Sequence, residues 1–264
     1  MKLRYIIAIF LVSVGTLFGL IKYYNIDPTL LSSISFYEDI ANPSIRVVRV
    51  PEGLRKEQIA DLMATKLGWD DTEKNQFDNI NLALNTGDLE GHYFPQTYLI
   101  QKDEGPTGVS ASMFHQFGVE TSKISKPKFT NIINADTALK VASIIQREAA
   151  GKSDMKLISG IIWNRLFSGM RLQIDATLQY AKGTEADGWW GEVTPSDKSI
   201  NSDYNTYLHA GLPPSAIANP GLAALDAAYN PQKTSCLYYM HDKNRNIHCA
   251  VTYAGHLKNI QKYY

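Results

Sequence analysis

The chain has 264 residues, and its 26 basic and 26 acidic side chains give a formal net charge of zero. This length allows one or two domains with a substantial hydrophobic core. The balanced charge argues against a nucleic-acid-binding protein with a broad basic surface, and the composition argues against a disordered or collagen-like chain.

The N-terminus has the pattern of a membrane anchor. Lys2 and Arg4 precede an uncharged run from Tyr5 to Ile21, which is at the short end of the length that spans a bilayer. A cleaved signal peptide is the alternative, but the run is long for one and no small-residue cleavage site follows it. We predict an uncleaved single-pass transmembrane helix within residues 1–24, with the rest of the chain outside the cytoplasm.

A connector and a small accessory unit are predicted next. Residues 25–44 contain Ser, Asn and Pro and are expected to form a juxtamembrane connector. The β-branched run Ile45–Val50 predicts a strand. Apolar residues at helical spacing from Leu54 to Leu67 predict an amphipathic helix, and a polar helix is expected over residues 70–85. We assign these elements to an accessory unit, residues 45–88.

Residues 89–264 are predicted to form one domain of mixed helices and strands, so the expected fold class is α+β. An aromatic turn at Leu89–Tyr98 leads into a strand, with a well-packed loop as the alternative. Residues 183–203 predict a surface loop that offers two Trp side chains as a platform. A short helix at Leu222–Tyr229 and a terminal hairpin complete the domain.

Two helices separated by Gly151 contain the first candidate catalytic residue. The helix from Asp136 to Ala149 has an apolar stripe, and Glu148 lies at the edge of that stripe. A carboxyl at the margin of a buried face is partly desolvated, which raises its pKa and lets it hold a proton near neutral pH. The alternative is an ordinary Glu whose head reaches water. The second helix is expected to begin at an N-cap, Ser153, and to end at Gly169.

The C-terminal region contains side chains that can bind metals or form disulfides. His241, His248 and His256 lie close in sequence, but neither a tight ligand spacing nor paired carboxylates accompany them, so we predict no metal site. Cys236 and Cys249 lie on opposite strands of the predicted hairpin. The polar run between them is centred slightly late for direct pairing, so a disulfide and free thiols both remain open.

Several short motifs occur in a characteristic order between residue 89 and the C-terminus. They are Leu89–Tyr98, Ala142–Ala149, Trp163–Leu166, Gly169–Thr177, Tyr204–Tyr207, Gly211–Pro214, Asn219–Gly221 and Leu237–Tyr239. This ordered set resembles the YceG-like family of endolytic murein transglycosylases, although no single motif is specific.

The resemblance implies a lyase, a peptidoglycan lytic endotransglycosylase in the inner (cytoplasmic) membrane with its catalytic domain in the periplasm or extracytoplasmic space. Such an enzyme cleaves the MurNAc–GlcNAc bond within glycan strands and leaves 1,6-anhydro-MurNAc ends. Glycan strands and the membrane are the expected partners, peptidoglycan synthases are candidates, and neither nucleic acid nor a cofactor is implied. The alternative is a catalytically inactive relative that binds glycan strands as a scaffold for wall synthesis.

The resemblance also assigns roles to individual residues. The family's Glu-Lys-Glu-like motif corresponds to residues 146–148, so Glu148 is implied as the catalytic acid. Because Gln146 replaces the first acidic residue, only Glu148 of the motif can transfer a proton. The candidate substrate-binding residues are Gln173, Asp175, Asn205 and Tyr207. The alternative for each of them is a structural partnership with the Pro-rich loop, which contains Gly211–Pro214 and Asn219–Gly221.

The sequence departs from the family pattern in two places. Only about 45 residues, from Ile45 to Asp88, separate the connector from the catalytic domain, which is short for a complete LysM-like glycan-binding module. His92 and Gln96 stand where the family tends to have an apolar or aromatic residue and an acidic residue. These departures concern details of the predicted substrate-binding region, not the proposed catalytic residue.

Overall fold

The computed structural model describes residue 16 and residues 41–80, 88–125 and 133–264. The helices and strands in chain order are β1 (Ile45–Arg49), α1 (Lys56–Leu67), α2 (Asp71–Asp78), β2 (Thr97–Gln101), α3 (Pro106–Ser122), α4 (Ala135–Glu148), α5 (Met155–Phe167), α6 (Asp175–Lys182), α7 (Leu222–Tyr229), β3 (Tyr238–His241), β4 (Ile247–Ala250) and α8 (Tyr253–Tyr263). This mixture of helices and two small sheets confirms the α+β class.

The predicted transmembrane segment, residues 1–24, lies outside the described residues except for Thr16. Among the residues that are described, no helix is both long enough and apolar enough to cross a bilayer.

A small hydrophobic core forms around the antiparallel pair β1–β2. The register places Val48 opposite Tyr98, and both side chains are buried together with Ile59 and Met63 of α1. The alternation in β1 left its buried face undecided, and the structure buries the face that contains Val48. This core draws residues from both sides of position 88, since Leu89 and residues of α3 belong to it.

A larger core lies between α4, α5, α6 and α7. Small buried side chains on α7, including Ala224 and Ala228, allow it to pack closely against α4. Trp163 of α5 is almost fully buried, and its indole N–H donates to the Ala228 carbonyl at 3.0 Å. The packing fixes the direction of α4 and therefore the position of its last residue, Glu148.

The α4–α5 corner is held by the Asp154 carboxylate. This side chain accepts the backbone N–H groups of Ala150 at 2.9 Å and Gly151 at 3.1 Å, so it satisfies donors just beyond the end of α4. The predicted N-cap at Ser153 is wrong, because α5 begins at Met155 and Asp154 occupies the cap position. Asp154 stabilises the preceding turn instead of the first turn of α5.

Asn219 connects the two cores. Its side-chain amide donates to Glu90 at 2.8 Å and to the Leu54 carbonyl at 3.0 Å, and its carbonyl oxygen accepts the Tyr93 N–H at 2.8 Å. Asn219 is fully buried and Glu90 is 1% exposed. Burial and the nearby charge of Glu57 raise the pKa of Glu90 to about 8. A buried polar network thus fixes the small core against the large one.

A disulfide closes the base of the C-terminal hairpin. Cys236 and Cys249 are bonded, with their Cα atoms 5.9 Å apart, so the disulfide alternative is correct. Cys249 lies opposite Tyr239 in the β3–β4 register, while Cys236 precedes β3. The bond therefore attaches the segment that leads into β3 to the middle of β4.

Reduction of this disulfide is expected to lower the free energy of unfolding by about 2–3 kcal/mol, because the bond closes a short loop with a sequence separation of 13. Urea denaturation of the full chain with and without dithiothreitol measures the difference. The double variant Cys236→Ser/Cys249→Ser is the control and should not respond to the reductant. Identical curves for the oxidised and reduced wild-type chain would contradict the prediction.

Candidate active site

A cavity of about 600 Å³ lies beside the C-terminal end of α4, and Glu148 is part of its lining. This volume lies within the range of ordinary ligand sites. Glu148 is partly buried, and its Oε2 atom accepts a hydrogen bond of 2.6 Å from the Tyr239 hydroxyl. The structure therefore places the predicted carboxyl in a cavity and supplies it with one strong donor.

Burial raises the pKa of Glu148 above that of an ordinary glutamic acid. The hydrogen bond from Tyr239 opposes this effect, the negative charge of Asp175 reinforces it, and the backbone N–H of Ala176 opposes it. The net direction is upward, in agreement with the desolvation predicted from the helical wheel. A carboxyl with this property can donate a proton at a pH where most carboxyls are ionised.

Three of the four predicted substrate-binding residues line the same cavity as Glu148, namely Gln173, Asp175 and Tyr207. The Tyr207 hydroxyl donates to the Asp175 carboxylate at 2.6 Å. Burial and this hydrogen bond raise the pKa of the Tyr207 hydroxyl, so it remains protonated and holds Asp175 in place.

Asn205 does not line the cavity. Its side chain is fully buried, where its amide donates to the Ile200 carbonyl at 2.8 Å and its oxygen accepts the Tyr207 N–H at 2.9 Å. All of these contacts lie within its own loop. Asn205 therefore has a structural role, but within its own loop and not with the Pro-rich segment, and it fixes the backbone that presents Tyr207.

The backbone of Gln173 adopts a left-handed conformation with φ of 54°. This conformation costs a non-glycine residue about 1 kcal/mol or more. Two hydrogen bonds to Thr206 hold the segment around Gln173. The Gln173 N–H donates to the Thr206 carbonyl at 3.1 Å, and the Ile174 N–H donates to the Thr206 hydroxyl at 3.0 Å. Strain of this kind is common in functional sites, and here it accompanies a side chain exposed at the cavity.

Arg165 positions two segments of the cavity wall. Its guanidinium donates to the Leu172 carbonyl at 2.5 Å and to the Leu237 carbonyl at 2.6 Å. These bonds connect the segment that contains Gln173 to the hairpin that contains Tyr239. Arg165 belongs to the motif Trp163–Leu166. Its role in the structure is to bind backbone carbonyls of neighbouring segments and so hold them in place.

Sequence reasoning missed the roles of Tyr239 and His241. Tyr239 is part of a family motif, but nothing in the spacing shows that its hydroxyl reaches a residue 91 positions earlier. His241 lines the cavity, and its Nε2 atom lies 2.7 Å from the Asp154 carboxylate. Side chains alternate between the two faces of a strand, so Tyr239 and His241 lie on the same face of the hairpin. This spacing is the signal from which a shared location could have been predicted.

Arginines cover one face of each ring in the predicted Trp platform. Trp190 faces the Arg147 guanidinium at 3.7 Å, and its N–H donates to Gln58 at 3.0 Å. Trp189 faces the Arg55 guanidinium at 4.7 Å. These contacts fix the loop to α1 and α4, and both Trp residues are partly buried.

The cavity contains two carboxyls with different surroundings. Glu148 has a raised pKa and a tyrosine donor, whereas Asp175 is exposed and bonded to Tyr207. One carboxyl that can donate a proton and a second acidic group nearby suit cleavage of a glycosidic bond. The geometry alone is compatible with either hydrolysis or an intramolecular transfer.

Solved and curated proteins resemble this chain. It is 35% identical over 201 residues to the endolytic murein transglycosylase of Bacillus subtilis (strain 168), which covers 75% of this chain and 53% of that protein. A protein of the same name from Streptococcus pneumoniae is 29% identical over 181 residues, with 66% and 32% covered. The chain thus spans about half the length of the first relative and about a third of the second.

The crystal structure of a YceG-like protein from Listeria monocytogenes superposes with a TM-score of 0.72 at 26% identity, covering 82% of this chain and 76% of that one. Residues 22–262 match the model of the YceG-like family. The match includes α4, the corner after it, the hairpin and most of α8. The chain therefore belongs to the YceG-like family.

Proposed function

We propose that this protein is an endolytic peptidoglycan lytic transglycosylase in which Glu148 acts first as an acid and then as a base. The observation that carries the proposal is the Glu148 carboxyl, with its raised pKa, in a cavity beside Tyr239. The name of the Bacillus subtilis relative supports the choice of peptidoglycan as substrate.

In the proposed reaction, Glu148 protonates the glycosidic oxygen between MurNAc and GlcNAc as the bond to the MurNAc anomeric carbon breaks. The 6-hydroxyl of the same MurNAc then attacks that carbon, and the Glu148 carboxylate takes the hydroxyl proton. The products are a 1,6-anhydro-MurNAc end and a free GlcNAc hydroxyl, and no water is consumed. Because the nucleophile is tethered to the reacting ring, proximity supplies much of the rate.

The surrounding residues support both stages. The Tyr239 hydroxyl donates to Glu148 at 2.6 Å and stabilises the carboxylate formed after the first proton transfer. Asp175 also lines the cavity, where its negative charge favours the positive charge that develops on the sugar ring.

Product analysis tests the proposed function. The full chain is incubated with purified peptidoglycan, and the new chain ends are identified by mass spectrometry. We expect 1,6-anhydro ends, which are lighter than reducing ends by one water. Reducing ends would indicate a hydrolase that uses Asp175 as its second carboxyl. Intact strands that co-sediment with the protein would support the glycan-binding scaffold instead.

We further propose that residues 1–24 anchor the protein in the cytoplasmic membrane, with the catalytic domain outside the cytoplasm. Two positive charges before an uncharged run support this orientation. The Cys236–Cys249 disulfide is consistent with an oxidising compartment. Retention in the membrane fraction after alkaline carbonate extraction tests the anchor, and release of the full chain by that wash would contradict it.

Replacing Tyr239 with Phe is expected to move the alkaline limb of the pH–rate profile to higher pH. The reaction needs protonated Glu148, so the rate falls as pH rises through the pKa of this group. The Tyr239 hydrogen bond lowers that pKa, and its loss therefore raises it. At low pH the rate should stay within about tenfold of the wild type, because the acid itself is retained.

Tyr98→Phe is the matched control, because the Tyr98 hydroxyl also donates a hydrogen bond of 2.6 Å, to the Phe94 carbonyl, and Tyr98 does not line this cavity. Its pH–rate profile should coincide with that of the wild type. An unchanged alkaline limb in Tyr239→Phe would show that the hydroxyl does not control the ionisation of Glu148.

A further inference from the structure

The helix α8 has an unusual exposure of large apolar side chains. It lies against the β3–β4 hairpin, yet none of its residues is buried. Tyr253 is 59% exposed, Leu257 47% and Ile260 38%. A helix that only stabilised the hairpin would turn such residues toward the hairpin.

Some of these side chains face the same cavity as Glu148. The lining residues on α8 and at its C-cap are Tyr253, His256, Ile260 and Tyr264, which we call the α8 wall. Their spacing of three or four residues places them along one side of the helix. Leu257 is similarly exposed but is not part of the lining. An exposed apolar side chain on this helix therefore does not necessarily face the cavity.

Aromatic contacts order the first part of the α8 wall. The Tyr238 ring stacks on His256 with centroids 5.6 Å apart and contacts Tyr253 at 5.8 Å. Burial and the positive charge of Arg165 lower the pKa of His256, so its imidazole is neutral at neutral pH. The wall therefore presents apolar and aromatic surface without a formal charge.

Other residues of the cavity lining have different chemistry. They include the charged side chains of Asp175 and Lys198 together with the Tyr207 hydroxyl. A ligand that contacts both sets of lining residues needs an apolar face and polar groups. A pyranose ring has both, since its C–H groups form apolar faces and its hydroxyls project from the edge. Rings of aromatic residues bind such faces through dispersion and burial of apolar area.

We propose that the α8 wall is a binding subsite for N-acetylated hexosamine rings of the glycan strand, adjacent to the ring that is cleaved. This proposal rests on the proposed function, because it takes the same strand as ligand. It assigns substrate affinity to Tyr253 and Ile260, whereas the chemical step belongs to Glu148. An internally cleaving enzyme needs contacts on sugars beyond the reacting bond, and the α8 wall supplies them on one side of Glu148.

Binding is measured in the full chain with Glu148→Gln, which removes the acid and keeps the ligand intact. The probe is a soluble tetrasaccharide of alternating GlcNAc and MurNAc, titrated in detergent solution by calorimetry. Ile260→Ser should weaken binding about fivefold, and Tyr253→Ala about tenfold. Leu257→Ser is the matched control, with the same change on the same helix outside the cavity, and it should alter affinity by less than about twofold.

Kinetics separate this subsite from a structural effect. With Glu148 present, Ile260→Ser should raise KM for glycan strands and leave kcat unchanged, because the lost contact is equal in the ground and transition states. Equal affinities for Ile260→Ser and Leu257→Ser would overturn the proposal, as would a loss of kcat without a change in KM. Normal binding by the wall in a chain that cleaves no glycan would refute the proposed function and leave the subsite standing.

Discussion

Replacing Glu148 with Gln is expected to reduce the rate of glycan cleavage by about 10²–10⁴-fold, the usual contribution of a general acid–base. An amide cannot donate a proton to the glycosidic oxygen, and it cannot accept the proton of the 6-hydroxyl. The fold should be retained, because Gln has nearly the same shape and its oxygen can still accept the Tyr239 hydrogen bond. The measurement is the initial rate at which soluble fragments are released from purified peptidoglycan.

Asp136→Asn is the matched control for this experiment. Asp136 lies on the same helix, α4, with its side chain 67% exposed, and it pairs with Lys140 across one turn. Such surface pairs contribute little to stability, so the rate should remain within about twofold of the wild type. A rate for Glu148→Gln above about a third of the wild-type rate would show that another group supplies the proton. Asp175, which also lines the cavity, would then be the next residue to replace.

Replacing Asn219 with Ala is expected to lower the free energy of unfolding by about 2–4 kcal/mol. The substitution removes the acceptor of the Tyr93 N–H, and it also removes one hydrogen bond to Glu90 and one to the Leu54 carbonyl. Glu90 still accepts the Gly91 N–H, and the Leu54 carbonyl still accepts the backbone N–H of residue 219. A buried donor left without a partner costs about 1–3 kcal/mol and each lost hydrogen bond about 1 kcal/mol, and relaxation or an entering water offsets part of the sum. Urea denaturation of the full chain, followed by circular dichroism, measures the change.

Asn79→Ala provides the comparison for Asn219→Ala. Asn79 is exposed at the end of α2, and its amide donates to the Asn75 carbonyl of its own helix. Its loss should cost less than about 1 kcal/mol. If Asn219→Ala costs no more than this, the two cores are held together by apolar packing and not by the buried network.

Local patterns in the sequence predicted α4 and the position of Glu148. The 3.6-residue period of apolar side chains identified one face of the helix, and the edge of that face is where desolvation raises a carboxyl pKa. The short helix at Leu222–Tyr229 was predicted with its observed bounds. These features depend on residues close together in the chain, so the sequence contains the relevant information.

Contacts between distant segments could not be predicted in the same way. The pairing of β1 with β2 and the hydrogen bond from Tyr239 to Glu148 join residues far apart in sequence. Asn205 is polar, and only the fold shows that its side chain forms hydrogen bonds within the loop that contains it. The Trp189–Trp190 pair is less open than predicted, because arginines from other parts of the chain cover one face of each ring.

The candidate site is complete only when Glu148 and Tyr239, which are distant in the chain, have come together. Glu148 lies 91 residues before the tyrosine that hydrogen-bonds to it, and the α8 wall follows still later. A chain that emerges from the N-terminus presents α4 well before the hairpin can dock. Under the proposed function, a nascent chain would hold an incomplete site until its last segment folds. The order of synthesis would thus delay cutting of the wall until the domain is assembled.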